Sequence, residues 1–388
     1  MTLVKSWVEI SGSRLVENLR AVQTAAGVGV ETLAVVKANA YGHGAVGMAR
    51  ALVAGAARWL GVNDIEEGTE LRRALGNGST RLLVMCGMDL ADAPEIVAHG
   101  LTPVVWTAEH VDAMERAARI AGHRVKVHLE LETGMARQGA AVGVELANVL
   151  ARLEGSKWVE CEGVMSHLVC SEVAGSAVTL AQRERFAQGL VQAAAAGIRP
   201  ELVHLGNSSA VDEGSTMEWL RGTAQRMKAM PMVRTGLSLY GYCLGMQGAK
   251  EVQGKLRSRL HPVPTWKTRV TGLRDLAAGA TVGYGATFTA GHPMRLALLP
   301  VGYADGFRRE ASSGTGHGWV MIAGKRAPVV GRVSMNLTTV DVTAIPEVRV
   351  GGEVVLLGEG VTAEDHARWC GTIPYEILCG LRAHFEMV

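Results

Sequence analysis

The stretch Leu33-Ala-Val-Val-Lys37, followed by Ala-Asn-Ala-Tyr41-Gly-His-Gly44, joins a short apolar run to a lysine and a glycine-punctuated turn. Runs of this kind recur as far as Arg234, and a segment with apolar residues at helical spacing follows each of them. This alternation predicts parallel strands that are joined by crossover helices.

Candidate strands at this rhythm run through the first part of the chain. They are Leu33–Lys37, Trp59–Val62, Arg81–Met85, Leu101–Val105, Val125–Glu130, Cys161–Met165, Leu202–Leu205 and Met232–Arg234. Eight such units close naturally into a (β/α)8 barrel, which is the fold we predict. A doubly wound sheet with extra strands is compatible with the same local pattern.

From Pro262 onward the pattern changes to alternating, glycine-punctuated segments, which predict an all-β domain. The candidate strands are Thr265–Val270, Ala280–Thr287, Leu296–Val301, Trp319–Ala323, Val329–Val333, Thr338–Val342 and Glu353–Leu357. Helical spacing returns over residues 363–383, and residues 212–229 are interpreted as a loop-helix insertion after the seventh strand. We therefore expect a barrel domain over 1–245 and a mainly β domain over 246–388, with the first ten residues pairing with the second domain.

Composition excludes several classes of protein. The formal net charge is +2, with 39 basic and 37 acidic residues and no dense basic run, which argues against nucleic acid as a partner. No apolar run reaches the ~18 residues of a membrane span. The six cysteines form no CxxC pair, and no histidine cluster has metal-ligand spacing, so neither a disulfide scaffold nor a metal site is expected. We predict a cytoplasmic protein.

Titratable residues stand at or just past the ends of five predicted strands: Lys37, Glu130, His167, His204 and Arg234. In a barrel, the carboxyl ends of the strands meet at one face, where active sites lie. We expect a lysine at the mouth of an apolar strand to be partly desolvated, which favours the neutral amine that a Schiff base requires. Strand ends also become polar simply because they meet solvent, but five such residues together favour an active site.

The string Val36-Lys37-Ala38-Asn39-Ala40-Tyr41-Gly42-His43-Gly44 resembles the pyridoxal-phosphate lysine motif of the alanine racemase family. The resemblance extends from Val8-Glu9-Ile10 through most of the chain. Further matching strings are Glu132-Thr-Gly-Met-Ala-Arg137, His204-Leu-Gly-Asn-Ser208, Val233-Arg-Thr-Gly-Leu237, Gly283-Tyr-Gly285, Val301-Gly-Tyr-Ala-Asp-Gly306, Gly331-Arg-Val-Ser-Met-Asn336 and Thr372-Ile-Pro-Tyr-Glu376.

The resemblance implies a homodimer with shared active sites, pyridoxal 5′-phosphate (PLP) as cofactor, and interconversion of L- and D-alanine for peptidoglycan synthesis. Lys37 would bind the cofactor as a Schiff base and serve as one of two bases at the α-carbon. Tyr284 would be the second base on the opposite face, which suits racemisation. Without the resemblance, Tyr284 reads as a hairpin-turn tyrosine that fills a seam between domains.

The remaining cofactor contacts also follow from the resemblance. Arg234 would face the pyridine nitrogen, His204 would orient Arg234, and His167 would lie at the cofactor. The phosphate would be bound by Tyr41, Ser208, Gly236, Leu237 and Tyr375, and Asn207 would be a further cofactor contact. Ser208 could alternatively cap a helix, and Arg234 with His204 could be a structural pair.

Arg137 and the Met335 N–H would bind the substrate carboxylate, and Tyr303 would narrow the entry path together with Tyr375. The chain departs from the family pattern at Glu130, where many relatives have a carbamylated lysine that holds the arginine. A glutamate carboxylate needs no carbon dioxide, so we expect Glu130 to pair with Arg137, although another partner for this acid is possible. Ser334 and Asn336 replace the usual Cys and Asp.

Other functions remain open at this point. A decarboxylase of the same fold would present an acid to the pyridine nitrogen, and Arg234 argues against that chemistry. A racemase of broader specificity is compatible with the same motifs. A non-catalytic PLP carrier is a further alternative from another class, but carriers of that type lack the second domain.

Overall fold

A computed structural model describes residues 4–76, 78–248 and 254–388. The chain divides into two compact units. The first unit comprises Met1–Arg14, Tyr41–Gly44 and Pro262–Val388, and the second comprises Leu15–Ala40 and Ala45–His261. The predicted boundary at residue 245 stays a prediction.

In the second unit, the described ranges contain eight parallel strands that close into a barrel. In chain order the strands are Glu31–Val35, Trp59–Val62, Arg81–Val84, Thr102–Val105, Val125–Glu132, Val159–Met165, Leu202–Gly206 and Met230–Thr235. Each pairs with its neighbours in sequence, and Met232 opposite Glu31 closes the ring. Most of their residues are buried, as expected for parallel strands covered on both faces. The predicted (β/α)8 barrel is confirmed, and a doubly wound sheet is excluded.

Helices connect these strands. Helix Gly12–Ala26 precedes the first strand, and the connecting helices are Ala45–Ala54, Ile65–Leu75, Ala93–Ala98, Ala108–Ala121, Val144–Gly155, Ala177–Ala195, Ser208–Glu213 and Ser215–Met227. Ser215–Met227 packs against the last two barrel strands. The helix expected after the seventh strand is present, but residues 212–229 belong to the crossover between the seventh and eighth strands. Their interpretation as an insertion is wrong, because parallel strands need such a crossover.

The first unit is mainly β, which confirms the predicted all-β region. Within the described residues, its largest sheet has the strand order Lys325–Pro328, Trp319–Ile322, Glu353–Leu357, Pro264–Arg269, Ser6–Ile10 and His384–Met387. A second sheet contains Gly272–Leu276, Met294–Leu299 and Thr338–Asp341, and a short hairpin pairs Thr281–Val282 with Phe288–Thr289. Helices Ala363–Cys370 and Pro374–Cys379 lie near the end of the chain.

Two predicted strands of this unit differ from the structure. The segment predicted as Ala280–Thr287 contains only Thr281–Val282 as strand, because a 3-10 turn at Tyr284–Ala286 interrupts it. The segment predicted as Val329–Val333 is an irregular buried loop in which Gly331 has a φ of 72°. Its apolar residues indicate burial, and the left-handed glycine breaks the extended backbone.

Across the residues that the structure describes, no helix combines the length and apolar character that a membrane crossing demands.

Candidate active site

Lys37 lies directly after the first barrel strand, between two backbone segments that are fixed in place. The Val36 N–H donates to Gly61 O at 2.8 Å and extends the strand ladder up to the lysine. The following residues 38–41 form a left-handed turn with φ values of 53° to 54°. Left-handed backbone costs a residue with a Cβ roughly 1–2 kcal/mol, so this turn stores strain beside the lysine.

The side chain of Lys37 is half-buried, and its Nζ lies 4.0 Å from Cys86 Sγ. Tyr240, which is fully buried, donates its hydroxyl proton to Val35 O at 3.0 Å. This bond ties the turn after the eighth barrel strand to Val35, the last residue of the first strand, two residues before Lys37.

Arg234 is buried at the end of the eighth strand, and its guanidinium donates to four acceptors. Nη2 donates to Ser166 O at 2.7 Å and to His167 Nδ1 at 3.1 Å. Nη1 donates to His204 O at 3.2 Å and to His204 Nδ1 at 3.3 Å. Because a guanidinium can only donate, both Nδ1 atoms carry lone pairs. Burial lowers the pKa of Arg234 to about 10, which leaves it charged at neutral pH.

A chain of hydrogen bonds continues from His204 through the barrel. His204 Nε2 lies 3.0 Å from His128 Nδ1, and His128 Nε2 lies 3.4 Å from Glu162 Oε2. Since His204 Nδ1 accepts from Arg234, its proton is on Nε2 and is donated to His128, which donates to Glu162 in turn. Sequence reasoning missed His128 and Glu162 because both stand inside strands and not at their ends.

Cations keep Glu162 ionised at the far end of this chain. Arg81 donates to its two oxygens at 2.8 and 2.7 Å, and Lys126 donates at 2.9 Å. Although burial raises the pKa of Glu162, the hydrogen bonds from His128, Arg81 and Lys126 hold it well below its usual range. Burial lowers the pKa of His128 and of His204, so both rings stay neutral and their tautomers are fixed.

His167 receives the other side of the Arg234 guanidinium. Burial, reinforced by the charges of Arg234, Arg137 and Lys37, lowers the pKa of His167 to about 3. The imidazole is therefore neutral, with its proton on Nε2.

The ends of the seventh and eighth strands lead into short helices whose first residues lie side by side. Ser208 Oγ accepts from Gly236 N at 3.1 Å and from Ser238 N at 3.4 Å. Asn207 caps the helix Ser208–Glu213, since its Oδ1 accepts from Ala210 N at 3.0 Å. Ser208 is therefore not the helix cap, which leaves its hydroxyl on the turn after the eighth strand.

This set of groups fits PLP. An amine follows the first strand, a fixed guanidinium ends the eighth, and a hydroxyl with backbone N–H groups lies after the seventh and eighth. Those groups match the aldehyde, the ring nitrogen and the phosphate of the cofactor, and phosphates in such barrels bind after the last two strands.

Arg137 lies on a loop that returns to its own strand. The Glu132 carboxylate accepts from Gly134 N, and from Ala136 N at 2.9 Å. Gln138 Nε2 donates to Glu130, and to Met85 O at 2.9 Å. The loop is thus held on both sides of Arg137, whose side chain is exposed.

The expected ion pair between Glu130 and Arg137 is not formed among the described residues, where Gln138 takes the Glu130 carboxylate instead. Burial raises the pKa of Glu130, although Gln138, Arg234 and Arg137 oppose the shift. A neutral amide partner suits such a buried carboxyl. Nothing in the sequence pattern marks Gln138 as this partner.

The other predicted site residues lie in the first unit. Tyr284 is in the Gly283-Tyr284-Gly285 turn and is 71% exposed, while Met335 is 56% exposed. The Tyr303 and Met335 segments are paired, because Tyr303 N donates to Ser334 O at 3.1 Å and Ala304 N to Met335 O at 2.9 Å.

Two of the tyrosines that were expected at the phosphate contact each other. The ring centroids of Tyr41 and Tyr375 are 5.8 Å apart. Burial raises the pKa of Tyr41, helped by Tyr375 and Cys379, so the phenol remains a hydrogen-bond donor at neutral pH.

The chain is similar to known proteins over nearly its whole length. Family models described as the alanine racemase N-terminal and C-terminal domains match residues 10–243 and 263–388. The alanine racemase of Symbiobacterium thermophilum is 38% identical over 384 residues, which cover 97% of this chain and 94% of the relative. That of Syntrophobacter fumaroxidans is 35% identical over 385 residues, covering 98% and 96%.

Solved structures agree with these relatives. The alanine racemase from a D-cycloserine-producing Streptomyces lavendulae superposes with a TM-score of 0.88 at 31% identity, over 100% of this chain and 98% of that one. The alanine racemase of Bartonella henselae, solved with covalently bound pyridoxal phosphate, gives a TM-score of 0.82 at 25% identity over 100% of both chains.

Proposed function

The chain belongs to the alanine racemase family, and on that premise we propose that it interconverts L-alanine and D-alanine and supplies D-alanine for peptidoglycan. As a member of this family it is a PLP-dependent racemase, an isomerase. The observation that carries the proposal is Arg234, a buried guanidinium held by Ser166 O, His167 and His204 at the position assigned to the ring nitrogen.

When bound, PLP supplies an electron sink for the carbanion that forms at the substrate α-carbon. Arg234 remains charged and can only donate a hydrogen bond, so it does not protonate the ring nitrogen. A ring nitrogen without its proton is a weaker sink, which restrains decarboxylation and transamination and favours simple proton transfer. The neutral His204 and His167 support this role, because the Nδ1 atom of each accepts a hydrogen bond from the guanidinium.

Two bases act on opposite faces of the α-carbon in this proposal. Lys37 Nζ takes or returns the proton on one face, and the fixed backbone on both sides of Lys37 supports a defined position for its amine. The Tyr284 hydroxyl acts on the other face. Inversion follows because one base removes the proton and the other returns one.

Ser208 and the N–H groups of Gly236 and Leu237 are assigned to the cofactor phosphate, and Asn207 is assigned as a further cofactor contact. The adjoining helix starts after the seventh and eighth strands support this assignment. The hydroxyls of Tyr41 and Tyr375 are assigned to the same phosphate. The contact between their rings supports this assignment, because it places the two side chains next to each other.

Arg137 and the Met335 N–H are assigned to the substrate carboxylate, with Tyr303 at the entry. Glu130 positions Arg137 indirectly, through the hydrogen bond that it accepts from Gln138 on the Arg137 loop. Exposure of Tyr284 and Met335 supports a homodimer in which a second copy buries both and completes each site. In this proposal the reaction takes place in the cytoplasm.

The Lys37→Ala variant tests the proposal. With the parent chain, borohydride reduction in the presence of PLP should fix the cofactor to the peptide that contains Lys37, and D-alanine should form from L-alanine. The variant should lose the fixed cofactor and racemisation in both directions, because the anchor and one base are gone. Fixation at another lysine, or an active Lys37→Ala variant, would refute the assignment, and a parent chain that fixes PLP without racemising any amino acid would favour the carrier.

A further inference from the structure

The backbone directly behind Lys37 is held by a carboxylate from the next βα unit. Glu67 Oε1 accepts from Ala38 N at 2.6 Å and from Asn39 N at 3.4 Å. Glu67 Oε2 accepts from Asn63 N at 2.8 Å. One side chain therefore joins the turn after the first barrel strand to the loop after the second.

These hydrogen bonds supply acceptors for backbone N–H groups that the turn itself leaves without partners. A helical turn leaves its first N–H groups without partners, whichever hand it has. Ala38 and Asn39 supply those N–H groups at the start of the left-handed turn, and both residues have positive φ values without being glycine. Strained backbone of this kind persists only when the surrounding structure fixes it, and the Glu67 carboxylate is a negatively charged acceptor at that point.

The position of Glu67 on its own helix is also set. Glu67 is the third residue of the helix Ile65–Leu75, and its N–H donates to Asp64 Oδ1 at 3.1 Å. The pattern Asp64-x-x-Glu67 is that of a capping box, in which the glutamate normally reaches back only to the start of its own helix. Here one oxygen reaches one residue further, to the N–H of Asn63 before the cap residue Asp64, and the other accepts from the Lys37 turn.

We infer that Glu67 is a positioning residue for Lys37: its carboxylate holds the left-handed turn and thereby fixes where the Lys37 amine meets the cofactor and the α-proton. The lysine then has a fixed backbone on both sides, since Val36 is tied to Gly61 and Ala38 is tied to Glu67. This inference rests on the proposed role of Lys37. Glu67 touches neither substrate nor cofactor in it.

The test uses Glu67→Gln, with Glu66→Gln as a matched control on the same helix turn. An amide has one acceptor oxygen, so in Glu67→Gln the new NH2 group must face either the Ala38 and Asn39 N–H groups or that of Asn63, donor against donor. Glu66 is exposed, and its carboxylate makes no hydrogen bond within the described part of the chain. Both variants remove one negative charge from the first turn of the helix Ile65–Leu75.

The first readout is amide hydrogen exchange of residues 38 and 39 in the full chain, resolved by fragmentation mass spectrometry. We expect exchange at least about tenfold faster in Glu67→Gln than in the parent or in Glu66→Gln, because a charge-assisted hydrogen bond is lost. The second readout is PLP binding to the cofactor-depleted chain, where we expect a Kd about tenfold higher. Both are independent of racemase activity.

The third readout separates positioning from general destabilisation. At saturating PLP, Glu67→Gln should lower kcat and leave the KM for alanine unchanged. Loss of α-hydrogen exchange should be unequal for the two isomers of alanine, because only one of them presents its α-proton to Lys37. A general loss of structure would affect both isomers alike.

The inference is overturned if Glu67→Gln matches the parent in exchange at residues 38 and 39 and in PLP affinity, or if Glu66→Gln shows the same losses. Should Glu67→Gln not fold, Glu67→Asp is the alternative, because it keeps the charge but is too short to reach the turn and Asn63 together. Parent-like exchange and PLP affinity in Glu67→Asp would equally overturn it. Failure of the Lys37→Ala test would instead remove the proposed function and leave the exchange result for Glu67 standing.

Discussion

Gln138 holds the loop of the proposed substrate-binding arginine from the position next to it. Its amide donates to Glu130 on the fifth strand and to Met85 O after the third. Gln138→Leu removes both bonds and leaves the buried Glu130 carboxyl without its donor. We expect the KM for alanine to rise about tenfold with a smaller change in kcat, as measured by steady-state kinetics.

Arg137→Ala is the reference for this variant, because it removes the guanidinium itself. If Gln138→Leu keeps the parent KM while Arg137→Ala raises it, Gln138 does not position the arginine. If neither variant changes the KM, the assignment of Arg137 to the substrate carboxylate fails.

Residue partners were the least predictable part of the site. Lys37, Arg234 and His204 could be singled out because they end apolar strands, and barrel strands end at one face. The partner of Glu130 could not, because Arg137 and Gln138 are neighbours in sequence and only the path of the loop decides which side chain faces the strand. Glu67 belongs to the sequence pattern Asp64-x-x-Glu67, but that pattern predicts the start of a helix and not a contact with the Lys37 turn.

At the scale of single elements, the loop from Glu132 to Ala140 depends on a glycine that allows close approach. Gly139 has a φ of 111°, and a Cβ there would lie 2.6 Å from Glu132 N. Gly143 has nearly the same φ, 112°, but nothing lies within 4 Å of its Cβ position. Comparison of the two alanine variants therefore separates steric clash from backbone strain.

Gly139→Ala should raise the KM for alanine and lower the free energy of unfolding by roughly 1–3 kcal/mol more than Gly143→Ala does, because the loop must move off the fifth strand. Urea unfolding and steady-state kinetics of both variants give the two quantities. Equal effects of the two substitutions on KM would show that the close approach at Gly139 does not position Arg137.

The elements that sequence reasoning found are those with continuous burial. All eight barrel strands were located to within a few residues because they are short apolar runs buried on both faces. The strand Gly272–Leu276 was missed since its Arg274 and Asp275 are exposed. The strand His384–Met387 was missed because it is a short edge strand with mostly exposed side chains.

At the scale of the whole molecule, distant parts of the chain share one sheet. Ser6–Ile10 pairs antiparallel with Pro264–Arg269 and parallel with His384–Met387. Ser6–Ile10 lies within the first ten residues, for which we expected pairing with the domain over 246–388. Both of its partner strands lie in that range. Neither its partners nor its register could be derived from local patterns, which carry no information on long-range pairing.

Both units contain buried neutral histidines, which makes stability depend on pH. Burial lowers the pKa of His366 from 6.5 to about 4, and it also lowers the pKa of His128 and of His204. Below pH 6.5 the unfolded chain binds protons that the folded chain does not, so stability falls as pH falls. Each such histidine contributes a slope of up to about 1.4 kcal/mol per pH unit.

Urea unfolding between pH 8 and pH 5 measures this effect. The free energy of unfolding should be insensitive to these groups above pH 7 and should decline below pH 6.5. In His366→Gln the side-chain amide still offers a donor to Leu356 O, the acceptor at 2.8 Å in the parent. Below pH 6.5 the free energy of unfolding of this variant should change less with pH, by up to about 1.4 kcal/mol per pH unit, which corresponds to one proton. An unchanged slope in this variant would show that His366 is not neutral in the folded chain.

Racemisation of alanine in deuterium oxide tests the central claim most directly. The purified chain is saturated with PLP and supplied with L-alanine, and both isomers are followed by chiral chromatography and mass spectrometry. The account predicts that the two isomers reach equal amounts and that deuterium from the solvent appears at the α-carbon of each. A chain that holds PLP on Lys37 but forms no D-alanine would contradict it.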